Sequence, residues 1–142
     1  MKKRGFIFGA LAMAIVLVIV FFMQGEEEKV TGMWKNATYT HDTQLGKGER
    51  ILYLDVEAEE KKISFTIHTN KETVGEALLE HNIVDGEKGE YGLYVKKVNG
   101  MEADYDKTKT YWAFYKDGES MPTGISGAKF SDKEHFELVC TK

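Results

Sequence analysis

Apolar and polar positions divide the chain into one long apolar block and a series of short amphipathic segments. Phe6 to Met23 is a run of 18 uncharged, almost wholly apolar residues. Wound as a helix at ~1.5 Å per residue, it would be about 27 Å long, close to the hydrocarbon thickness of a bilayer. Further along, the period shortens to two. In ILYLDVE, Leu52, Leu54 and Val56 take one face while Tyr53 and Asp55 take the other. In KKISFTIHT, Ile63, Phe65 and Ile67 alternate with Ser64, Thr66 and His68. Such alternation predicts half-buried antiparallel strands, joined here by an exposed turn over Ala58, Glu59 and Glu60.

In TNKETVGEALLEHNIV the period lengthens. Thr73 followed by Glu76 has the spacing of a capping box. Val74, Ala77, Leu78 and His81 then recur at three- and four-residue intervals, which predicts a short amphipathic helix fading at Asn82. Ile83 and Val84 are expected to pack back on the sheet. Asn99-Gly100, between Val98 and Met101, predicts a tight type I′ hairpin, because both central residues of that turn need positive φ. Asp117-Gly118 repeats the signal after a strand from Tyr111 to Lys116. A Gly- and Ser-rich loop containing Pro122 precedes a last strand, His135 to Thr141. The predicted order is strand, strand, helix, strands and strand, an α+β domain with a mixed sheet.

Taken in order, ISFTIHTNKETVGEALLEHNIV, YGLYVKKVNG and YWAFYKDGE resemble the transcobalamin-like C-terminal family. This bacterial domain of unknown function is similar to the β-domain of cobalamin carrier proteins. The resemblance covers roughly residues 50 to 142. It implies a β-grasp-like fold, a mixed sheet of about four to five strands packed on one short helix. It also implies an N-terminal signal or anchor and a ligand-binding role, with a corrinoid as the suggested ligand. Two features depart from the relatives. The large helical barrel of the carriers is missing, and the loop before the last strand reads GISGAKFSDKEHF, without the usual Gly-Asp.

Charge refines the organisation. Lys2, Lys3 and Arg4 precede the apolar run and no acidic residue occurs before Glu26, so the formal net charge of −4 arises in the remainder. Cations on that flank place it on the cytoplasmic side. A cleaved signal peptide would have a shorter apolar region ending in a small-x-small site, whereas this run ends Phe21-Phe22-Met23-Gln24-Gly25. The expected layout is an uncleaved signal anchor over 1–25, a polar tether over 26–49 and an extracytoplasmic domain over 50–142. Secretion after cleavage is the alternative. In the tether, Trp34 and Tyr39 either dock on the domain or, for Trp34, sit at the membrane interface. An acidic domain without a stripe of Lys and Arg excludes nucleic acid as a partner.

No recognisable nucleophile–base spacing or phosphate-binding glycine loop occurs, so no enzymatic activity is expected. His41, His68, His81 and His135 are scattered singly, and Cys140 alternates with Phe136 and Leu138 as a small core residue. Asp104, Asp106 and Asp117 in turns, or else His41 and Asp42, leave only a weak metal-cation site as an alternative.

Candidate binding chemistry centres on KTYWAFYKDGESM. Trp112 and Phe114 share the face expected to meet Val74 and Leu78 in the core. Tyr111 and Tyr115, with Tyr91 or Tyr94 from the preceding strand, form an outer face with two open readings. One is a stacking platform for a planar ligand and the other is cross-strand aromatic packing. The loop supplies Met121, Thr123, Gly124 and Ser126 as further candidate contacts, Gly124 for close backbone approach and Met121 as an adaptable apolar group. Two functions follow, a membrane-anchored module capturing a small ligand beside a transporter, or a cell-surface protein-interaction module. The first predicts a concave pocket beside Tyr111, Tyr115 and the loop. The second predicts a flat aromatic patch or an open sheet edge.

Overall fold

The two alternating segments form the longest strand pair of the molecule. In the computed structural model, which describes residues 32–142, β2 (Arg50–Ala58) and β3 (Lys61–Thr69) pair antiparallel from Arg50↔Thr69 to Ala58↔Lys61. Glu59 and Glu60 both adopt positive φ in the turn between them. The membrane segment expected over 6–23 lies outside the described residues. Among the described residues, no helix is long and apolar enough to cross a membrane.

Around this pair lie β1 (Thr43–Gly46), β7 (Tyr111–Lys116), β8 (Glu119–Ser120) and β9 (Glu134–Thr141). They complete a six-stranded sheet in the order β1-β3-β2-β9-β7-β8. The sheet is mixed, with β1 parallel to β3 and β2 parallel to β9, the other neighbours being antiparallel. A separate three-stranded sheet consists of β4 (Val84–Gly89), β5 (Gly92–Val98) and β6 (Met101–Glu102). The expectation of one sheet with four to five strands therefore needs correction. β1 and β8 are too short to show a period, and residues 84–102 pair among themselves instead of joining β7.

α1 (Val74–Glu80) starts at Thr73, whose Oγ1 accepts from the amide of Glu76 at 3.1 Å. Its buried stripe is Val74, Gly75, Ala77 and Leu78. A single helical turn, α2 (Tyr105–Thr108), is capped by Asp104, which accepts from the Asp106 amide. The fold is therefore mixed α+β, mostly sheet.

One face of the large sheet is the core. Leu52, Leu54, Val56, Ile63, Phe65, Ile67, Phe136 and Leu138 are at most 3% exposed. They join Val74, Leu78, Ile83, Val98, Met101 and Ile125 in one cluster. A fully buried Leu or Phe contributes about 1.5–3 kcal/mol by leaving water. Trp112 is buried in this cluster as expected, and half-buried Phe114 stacks on Phe136 with centroids 5.6 Å apart. Cys140 packs at its margin, and burial raises its thiol pKa.

The segment expected to be a tether belongs to the domain from Gly32 onward. A 3-10 turn at Gly32–Asn36 buries Trp34, whose indole Nε1 donates to the carbonyl of Ala58 at 2.9 Å. Of the two readings of Trp34, docking is the one the structure shows. Tyr39 sets its ring edge-on to Phe65.

Asn99 fastens this segment. Its side chain accepts from the amide of Tyr39 at 2.9 Å and donates to the carbonyl of Tyr39 at 2.8 Å. Its backbone bonds Ile83 and Thr38. Asn99 and Gly100 have φ of 54° and 82°, as the predicted hairpin turn requires. A Cβ at Gly100 would also lie 2.5 Å from the carbonyl oxygen of Asn36, so the close approach needs glycine.

Candidate functional site

On β7 the alternation that buries Trp112 turns Tyr111 and Tyr115 to the outer face of the large sheet. Tyr111 lies opposite Thr141 and Tyr115 opposite Glu137. Tyr91, 90% exposed at the β4–β5 turn, and Tyr94, 49% exposed on β5, belong to the smaller sheet. None of these four rings stacks on another. The single phenol-rich face expected from the sequence is thus two separate pairs, because β7 takes β9 and β8 as neighbours and not β5.

The loop is tied to the smaller sheet. Ser126 Oγ accepts from the amide of Leu93 at 3.0 Å. A Cβ on Gly92 would come within 2.6 Å of Ser126 Cβ, so the loop and the start of β5 touch directly. Met121 is half-buried, and its amide donates to the carbonyl of Phe114 at 3.0 Å. Thr123 and Gly124 are exposed, and a Cβ at Gly124 would meet nothing within 4 Å. Gly124 also has an ordinary extended conformation. The structure therefore brings Ser126 to the start of β5, the strand that carries Tyr94 and follows the turn with Tyr91, while Tyr111 and Tyr115 belong to the other sheet.

Charge near these tyrosines is locally paired. The Lys96 ammonium donates to Glu87 at 3.1 Å and lies 5.7 Å from the Tyr94 ring centroid. That hydrogen bond, with the negative charge of Glu87, raises the lysine pKa. On the outer face of the large sheet, His135 sits between two carboxylates. Its Nε2 is 2.9 Å from Asp55 Oδ2 and its Nδ1 is 3.8 Å from Asp117 Oδ1. Asp55 also accepts from Ser64 Oγ at 2.7 Å. The two carboxylates meet opposite ring nitrogens, so they share no common coordination point.

Three of the other candidate cation ligands have structural partners. Asp42 accepts from the Ser64 amide, Asp104 caps α2, and His41 Nδ1 lies 3.1 Å from Thr40 Oγ1. Among the described residues, no three His, Cys, Asp or Glu side chains converge as a metal-binding group.

Two depressions lie away from the predicted residues. One, of about 400 Å³, lies between the end of α1, β4, the β5–β6 turn and Thr38. Its rim carries Leu79, Asn82, Asp85 and Lys97, with Ile83 and Val84 beneath. The other, of about 440 Å³, is bordered by Arg50, Asn70, Glu72, Lys129 and Phe130. There the Arg50 guanidinium is already committed, donating to the carbonyls of Phe130 and Lys71 and stacking 4.2 Å over the Phe130 ring. Neither depression is lined by the tyrosines or the loop residues. Sequence reasoning missed the first because its walls come from three distant stretches. The one available signal was Leu79, an aliphatic residue placed off the buried stripe of its helix.

Residues 71–137 match a family described as a domain of unknown function (DUF4430). A crystal structure from Ruminococcus gnavus, described as a "putative metal binding protein", is 33% identical with a TM-score of 0.63. The alignment covers 66% of this chain and 98% of that one. Haptocorrin in complex with Cbi matches with a TM-score of 0.50 at 18% identity, over 66% of this chain. The match spans 25% of the haptocorrin chain, and at that identity the likeness is one of fold. No curated protein matches the chain.

Proposed function

The chain belongs to the same family as the Ruminococcus gnavus protein, and from that premise we propose that it is a non-catalytic module that captures a small ligand outside the cell membrane. Residues 6–23 anchor it there, and the β-grasp-like domain holds the ligand for a membrane transporter. The observation that carries this reading is the exposure of Tyr91 in the β4–β5 turn and of Tyr94 on β5, a strand fastened to the 121–126 loop through Ser126.

Exposed phenol rings offer flat apolar faces with a hydrogen-bonding rim, and each buries about 150–250 Å² when covered. Thr123 and the open backbone at Gly124 supply polar contacts, and Met121 adapts to irregular shapes. Tyr111 and Tyr115 belong to the other sheet. The family resemblance makes a corrinoid the first ligand to try, and the haptocorrin likeness supports the fold that such a ligand would need.

The test is a calorimetric titration of the detergent-solubilised full-length chain with cobinamide and with cobalamin, repeated with Tyr91→Ala and Tyr94→Ala. Micromolar-range binding, weakened about tenfold or more in either variant, is expected. No heat from folded protein would remove the corrinoid. Binding unaffected by either variant would remove the rim.

A second reading, a cation site, is favoured by the description of the Ruminococcus gnavus relative as a metal binding protein and by His135 lying between Asp55 and Asp117. It requires the imidazole to turn so that one nitrogen and both carboxylates face a common point. Titration with zinc and calcium, with His135→Ala as control, tests it. Binding that the variant abolishes would support the site, and no binding would eliminate it.

A further inference from the structure

We propose that the depression at the end of α1 is a second binding site, for a small zwitterion with an apolar side chain such as a free α-amino acid. It is independent of the tyrosine rim. At about 400 Å³ the depression falls within the range of small-molecule sites.

Its charges are what single it out. Asp85 and Lys97 are register partners across β4 and β5, where opposite charges ordinarily pair. Here they do not. Asp85 Oδ1 accepts from the amide of Gly86 at 2.8 Å, and among the described residues no carboxylate lies within ion-pair distance of Lys97. The adjacent Lys96, by contrast, is paired with Glu87 at 3.1 Å. The site therefore presents an acid and an amine side by side, neither neutralised by the other. An ammonium group on Asp85 and a carboxylate on Lys97 would satisfy both with charge-assisted hydrogen bonds.

The apolar part of such a ligand also has a partner. Leu79 is 45% exposed at the rim, and the other large exposed hydrophobic residues of the described chain are all tyrosines. A branched or aromatic ligand side chain laid on Leu79 removes apolar surface from water on both sides. Asn82 and Thr38 add an amide and a hydroxyl to the rim.

The walls are fixed beforehand. Asn99 bonds the backbone of Ile83 on one side and of Thr38 on the other, so little ordering remains to be done on binding.

The test uses the ¹⁵N-labelled full-length chain in detergent micelles, titrated with L-leucine and, separately, with N-acetyl-L-leucinamide, which keeps the side chain and removes both charges. Saturable amide shifts at Leu79, Asp85, Lys97 and Gly100 are expected with L-leucine alone. Asp85→Asn and Lys97→Gln should each weaken binding about tenfold or more. Tyr91→Ala should leave it unchanged, which separates this site from the tyrosine rim. No shifts at these amides in folded protein, equal shifts with the blocked amide, or undiminished binding by both charge variants would overturn the proposal.

Discussion

The two sheets of this domain divide the work unequally. In the large sheet, β2 and β3 each place every second side chain in the core, and their alternating burial runs the length of both strands. In the small sheet, β4 buries only Val84 and then runs out into Asp85, Glu87, Lys88 and Gly89 at the surface. β5 buries only Val98 and presents Tyr94 and Lys97 outward. The small sheet is held by a few fastenings, chiefly Asn99, Val98, Met101 and the bond from Leu93 to Ser126. Both proposed binding sites use it. Groups free of packing duty are available for ligands, and regions with few buried contacts are where local opening is least costly.

The contrast can be broken first in the large sheet. Phe65→Ala removes a fully buried ring from its centre and should cost about 3–5 kcal/mol, measured as a lowered urea midpoint. Next comes the fastening between the halves. Asn99→Gly retains the positive-φ turn but deletes both bonds to Tyr39, so a loss of about 2 kcal/mol is expected. The residue 38–39 amides should lose hydrogen-exchange protection before those of β2 do.

A smaller effect is expected from Glu134. The Ser131 amide donates to its carboxylate and the Lys116 ammonium lies beside it, so its pKa falls below the ordinary 4.5. A depressed acid stabilises the fold above its unfolded pKa, and that contribution is lost as pH falls through the lower folded value. Glu134 is about 29% exposed, so solvent screening limits the gain. Glu134→Gln should lose roughly 0.5 kcal/mol at neutral pH, and denaturation curves of the two proteins should draw together in acid. Smallest of all, Tyr94→Ala should shift stability by about 0.5 kcal/mol or less while weakening corrinoid binding. A large loss of stability there would mean that the small sheet shares the structural duty of the large one.

Much of the large sheet was legible because its signals are local. Alternation located β2, β3, β7 and β9, the Thr73 cap located α1, and Asn99-Gly100 and Asp117-Gly118 located two turns. β1 was not legible, since TQLG is too short to show a period and takes its partner β3 from a later stretch. β4 was hidden because VDGEKG has no alternation. Trp34 has two readings in the sequence, which its bond to Ala58 separates. At the candidate site, the sequence identified exposed tyrosines but not which strands lie beside them. Strand order depends on distant pairings, so Tyr111 and Tyr115 were grouped with rings that belong to another sheet. The Asp85–Lys97 depression was out of reach for the same reason, because its walls meet only once Thr38, Asn82 and Gly100 are brought together.

The position of β9 has a consequence for how the domain comes into being. It lies between β2 and β7, and among the described residues no other strand joins β1-β3-β2 to β7-β8 within the large sheet. Until residues 134–141 have left the ribosome, that sheet exists as two unjoined pieces, with the apolar faces of β2 and β3 incompletely covered. Assembly of that sheet must therefore await the segment that forms β9, and the non-local pairing of β9 with β2 makes the closing step slow. The nascent chain passes through an interval in which unpaired strand edges are open to other chains.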